Sequence, residues 1–122
     1  MSRRRWAGSD RGSFTAELAA GLPALMLLML AGLTAVSAVT TKAQCVDAAR
    51  EAALAASRGA AGAEAGRRSA PAGSVVSVTI AGDTVVATVR APVRSLGARL
   101  PRLTVEARAV AAVEPGRPEP RP

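Results

Sequence analysis

Few side chains in this sequence can do chemistry, and their placing narrows what that chemistry is. His is absent from the 122 residues, which removes the commonest general base and metal ligand. The single Cys, Cys45, can build neither a structural zinc site nor an intrachain disulfide. No Gly-rich phosphate loop occurs. The chain therefore reads as a non-enzyme without cofactor, metal or small-molecule substrate. Two side chains remain. Glu17 is a lone carboxylate at the head of a run, Leu18 to Thr41, that carries no charge. An acid at the edge of an apolar helix is costly unless it is paired, so it is a functional candidate. Cys45 lies just beyond the far end of that run. On an oxidising side it is a candidate for an intermolecular disulfide; equally it is a small apolar residue on an Ala-rich stripe.

The elements that must position these residues follow from patterning. The uncharged run is rich in Leu and Met, and at 1.5 Å per residue it makes roughly 36 Å of helix, enough for a bilayer core of about 30 Å. Pro23 interrupts it near its entrance, and small residues recur at Ala20/Ala24 and Ala31/Ala35, a spacing that permits close helix–helix approach. Ahead of it, Met1 to Gly12 holds Arg3, Arg4, Arg5 and Arg11 against Asp10. By the positive-inside rule that leader stays cytoplasmic and everything after Lys42 is extracytoplasmic.

The net charge of +7 is partly a property of this leader. The remaining Arg residues are scattered, and the aromatics are Trp6 and Phe14, so the outer part offers no ring for base stacking. Nucleic acid is not an expected partner; membrane lipid is.

Beyond Thr41, Cys45, Ala48, Ala49, Ala52, Ala53 and Ala56 follow one helical face, and Gly59, Gly62 and Gly66 signal its end near residue 65. Residues 66–74 read as a linker. Val76, Val78 and Ile80, then Val85, Ala87 and Val89, alternate as two strands around a turn at Ala81-Gly82-Asp83-Thr84. Pro92 is expected to stop the second strand, with a connector from Val93 to Arg102 and a third strand from Leu103 to Val113. Four Pro within residues 114–122 point to a disordered tail. The expected fold is α+β, with a long N-terminal transmembrane and amphipathic helix packed on a small three-stranded antiparallel meander. Its segments are a basic leader (1–12), a transmembrane helix (13–41), an extracytoplasmic helix (42–65), the linker (66–74), the sheet (75–113) and the tail (114–122).

Three stretches make this chain resemble the TadE-like minor pilins and pseudopilins of Tad (type IV-like) pilus systems, in their high-G+C Gram-positive form. They are Arg11-Gly12-Ser13-Phe14-Thr15-Ala16-Glu17-Leu18, then Cys45-Val46-Asp47-Ala48-Ala49-Arg50, and Ala91-Pro92-Val93-Arg94 through Leu103-Thr104-Val105-Glu106-Ala107-Arg108-Ala109. The resemblance implies a type IV pilin-like fold and a prepilin processing site, with cleavage between Gly12 and Ser13 and Glu17 at the fifth mature position. Type IV pilins usually carry an apolar residue directly after the Gly, whereas here Ser13 comes first and Phe14 second. The implied role is a membrane-inserted structural subunit in pilus assembly, in which Glu17 neutralises the new N-terminal ammonium of a neighbour. The implied partners are a prepilin peptidase, the major pilin, a TadF-like pseudopilin and the pilus platform and motor proteins.

Two other fates compete with this one. Val36-Ser37-Ala38 is an acceptable signal-peptidase site, and cleavage after Ala38 would release a small secreted protein. An uncleaved single-pass envelope scaffold is the third.

Overall fold

A computed structural model describes the backbone of residues 3–95 and 98–116, and the side chains of residues 12–93 and 103–116. The expected tail lies mostly outside these, at residues 117–122. The elements in order are α1 (Arg3–Ser57), α2 (Gly62–Ser69), β1 (Val75–Ala81), β2 (Thr84–Ser95) and β3 (Ala98–Ala112). The chain is α+β, and it divides into two compact units, Met1–Leu33 and Thr34–Pro122.

In the first unit α1 runs through Pro23 and carries the apolar residues that the sequence places in a membrane. Leu27 and Leu28 are 67% and 70% exposed, and Phe14, Leu18, Leu22, Leu25, Met26, Met29 and Leu33 are exposed as well. A soluble core helix would bury such residues. This helix is long and apolar enough to cross a membrane, with a mean hydropathy of 2.1 in its most apolar stretch.

The second unit is built on the Ala stripe. Cys45, Ala48, Ala49, Ala52 and Ala53 cluster with Val76, Ala87, Val89, Ala91 and Ala107 into one core. Methyl side chains let the helix approach the sheet closely but bury little area. The bulk comes from Val85, Val89 and Val93, each about 1% exposed or less and each contributing about 1.5–3 kcal/mol by burial. The helix ends in a Schellman motif around Gly59 (φ 81°). The amide of Gly59 donates to the Ala56 carbonyl (3.0 Å) and that of Ala60 to Ala55 (2.9 Å).

The linker expected at 66–74 is partly helical. α2 occupies Gly62–Ser69, with Glu64 in its first turn and Arg67 and Arg68 in its last, charges that complement the helix dipole. Gly62 and Gly66, taken from the sequence as helix breakers, lie one turn apart against α1. A Cβ on Gly62 would stand 2.6 Å from the Ala52 carbonyl oxygen, and one on Gly66 would stand 2.9 Å from the Ala52 Cβ. Close packing onto α1 outweighs the poor helix propensity of glycine here. Ser69 also donates a hydrogen bond to the Glu51 carboxylate.

The sheet has the order β1-β2-β3 and is antiparallel throughout. Gly82 (φ 59°) opens the tight turn that brings Ala81 opposite Thr84. Pro92 does not end β2, which continues to Ser95. The reason lies in the register. The Val113 amide donates to the Asp83 carbonyl (2.8 Å), so in the ladder with β3 the odd-numbered residues of β2 exchange hydrogen bonds and the even-numbered ones face β1. The amide that Pro92 lacks would point toward β1, which begins only at the Val75–Arg90 pair. The ladder with β3 shifts between Pro92 and Arg94. β3 accordingly starts at Ala98, within the expected connector.

Candidate functional site

The charge-bearing head of the apolar helix is where the sequence places its chemistry. Gly12 sits inside α1, and a Cβ added to it would meet nothing within 4 Å. Ser13 and Glu17 are exposed and stand four residues apart, hence on one helix face. Below them Phe14, Glu17, Leu18, Gly21, Leu22 and Leu25 line a shallow groove of about 290 Å³. Among the described residues no cation pairs with Glu17. The arrangement is a carboxylate at the top of an apolar stripe, both open to a partner. It can receive an ammonium group together with an apolar helix. Side chains up to Arg11 lie outside the described residues.

Cys45 belongs to the second unit and sits elsewhere in character. It is fully buried in the Ala stripe, and burial raises its thiol pKa, with the Lys42 charge acting in the opposite direction. That position does not suit the interchain disulfide expected as one option, because the sulfur is sealed between helix and sheet. Lys42 itself donates to the backbone carbonyl of Glu106, tying α1 to β3. On the exposed sheet face Arg90 Nε pairs with Glu106 Oε2 at 2.7 Å, a solvated contact worth less than about 1 kcal/mol.

Sequence reasoning missed the Gly62/Gly66 contact. Its signal was available as small residues at Gly-x-x-x-Gly spacing, a pattern for close helix approach outside membranes as well as in them.

Comparison with known proteins bears on the same stretch. A family model described as TadE-like protein matches residues 12–54, from Gly12 through the Ala stripe. The chain is 39% identical over 108 residues to Apoptosis inhibitor Rv3655c of Mycobacterium tuberculosis, covering 87% of this chain and 83% of that protein. No solved structure matches.

Proposed function

Since the chain belongs to the TadE-like family, we propose that it is a membrane-inserted, pilin-like structural subunit of a Tad pilus system, trimmed by a prepilin peptidase between Gly12 and Ser13. The observation that carries this reading is the exposed apolar face of α1, headed by an unobstructed Gly12 and by Glu17 five residues later. Cleavage there keeps the helix and leaves Ser13 with an ammonium group near the membrane edge. Glu17 of one subunit neutralises that ammonium in the next, and burial makes either charge costly when left alone. The pairing gives added subunits a register along their helices. The basic leader holds the N-terminus in the cytoplasm and places everything after Lys42 outside. The partners on this reading are membrane lipid, the peptidase, the major pilin, a TadF-like pseudopilin and the assembly platform.

The mature N-terminus tests it. The mass of protein purified from native membranes should correspond to a chain beginning at Ser13, and Gly12→Val should leave the leader in place. A chain beginning at Val39 would instead identify a secreted product, and one retaining Met1 or Ser2 an uncleaved anchor.

A further inference from the structure

Strand β3 is an edge strand: β2 pairs with one side of it, and no described strand pairs with the other. The register that explains Pro92 also fixes which of its backbone groups face outward. Odd-numbered residues of β3 bond to β2, so the amides and carbonyls of Thr104, Glu106, Arg108, Val110 and Ala112 point away from the sheet. Two outward-facing groups along this edge are closed by α1. Lys42 donates to the Glu106 carbonyl, and the Glu114 amide donates to the Ser57 carbonyl at 3.2 Å. Between them, no described residue bonds to the outward amides and carbonyls of Arg108, Val110 and Ala112.

That open window has a built flank. Arg50, Ala53 and Leu54 of α1 and Ala109, Val110 and Ala111 of β3 line a groove of about 160 Å³ beside it. Leu54 and Val110 are 53% and 63% exposed, so the groove offers apolar surface. Arg50 lines the groove, and Arg108 is exposed at the same edge on the sheet face turned away from α1; among the described residues neither has a carboxylate partner. Natural sheets usually blunt an edge with a charge, a proline or a covering element. Here the covering by α1 stops on either side of a short opening, at which Arg108 is the charge of β3.

We propose that the outer edge of β3 over Arg108–Ala112 docks an extended, acidic segment of a partner protein, added to the sheet as a fourth strand. The charge chooses the partner: two guanidinium groups that pair with no described carboxylate, one toward each face of the sheet, favour a strand bearing carboxylates. A second copy of this chain fits poorly. Pairing β3 with itself requires a twofold axis perpendicular to the sheet, which reverses the direction of the α1 segment lying on it. It also brings the Arg108 side chains of the two copies to one edge, like charge against like. The proposal does not depend on cleavage at Gly12.

The experiment uses the full chain in detergent micelles and follows amide hydrogen exchange at Arg108, Val110 and Ala112. The probe is a synthetic octapeptide of alternating Val and Thr that ends in two Glu; its control ends in two Lys. The glutamate peptide should slow exchange at these amides, and the lysine peptide should bind at least about tenfold more weakly. Val110→Pro removes an outward donor without touching the ladder to β2, and should abolish protection at Arg108 and Ala112. Its folding is checked by unchanged exchange at Val85, Ala87 and Val89. Should that variant unfold, Arg50→Glu combined with Arg108→Glu decides, because it should reverse the preference between the peptides. Absence of protection, equal binding of both peptides, or undiminished binding by folded Val110→Pro overturns the proposal. So does protection that rises with protein concentration without peptide, which would assign the edge to a second copy.

Discussion

Replacing Gly62 by Ala sets two effects of opposite sign against each other. A glycine in a helix costs up to about 1 kcal/mol relative to alanine, so propensity alone predicts a more stable protein. The packing predicts the reverse. The new Cβ would lie 2.6 Å from the Ala52 carbonyl oxygen and 2.8 Å from the Ala56 Cβ. The first of these is backbone inside α1 and cannot rotate away. Ordinary contact requires α2 to retreat by about 1 Å, which also loosens Gly66 and Ala65 from their packing. Overpacking of this kind costs about 1–3 kcal/mol, and the rigid backbone neighbour puts Gly62 at the upper end. After the propensity gain, a net loss of about 1–2 kcal/mol remains. Native-state hydrogen exchange at the Val85, Ala87 and Val89 amides, which face β3 in the central ladder, reads that loss as exchange faster by about 5–30-fold. Gly21→Ala, where a Cβ meets nothing within 4 Å, serves as the control and should leave these amides unchanged. Exchange in Gly62→Ala that is unchanged or slower would refute the close-approach argument.

Other expectations follow from the same structure. Gly59→Ala should destabilise by about 1–2 kcal/mol, because its φ of 81° is the left-handed cap of α1, and thermal unfolding by circular dichroism measures it. Glu17→Ala should insert and be trimmed normally yet fail to support piliation or recover its pilin partners on purification; full piliation would remove the pairing role. Burial raises the Cys45 pKa, so the folded state holds its proton longer than the unfolded chain. Stability should therefore be intact below the ordinary thiol range, about pH 8.5, and fall as pH rises beyond it, with that slope absent in Cys45→Ala by denaturant titration. In the native fold Cys45 should also react slowly with thiol reagents and form no interchain crosslink on a non-reducing gel.

The apolar helix, the Ala stripe and the strand faces were legible because each depends on periodicity within one segment. Leu18 to Thr41 carries no charge, Cys45 to Ala56 repeats at helical spacing, and Val85, Ala87 and Val89 alternate. Gly12 and Glu17 stood out for the same local reason, a glycine and an acid at a fixed spacing before an apolar run.

What tertiary structure alone decided involves residues whose meaning comes from a neighbour distant in sequence. Gly62 and Gly66 read as breakers until α1 lay against them, and then their lack of a side chain became the condition for contact. Pro92 read as a strand terminator because the sequence does not say which side of β2 its missing amide faces, nor that β1 has already ended there. Cys45 read equally as a crosslink or a packing residue, and only the sheet closing over the stripe buries it. The open edge of β3 was invisible for the same reason. Whether a backbone amide is paired or free is a property of the strand beside it, and Lys42 and Ser57 set its limits from a helix some sixty residues earlier in the chain.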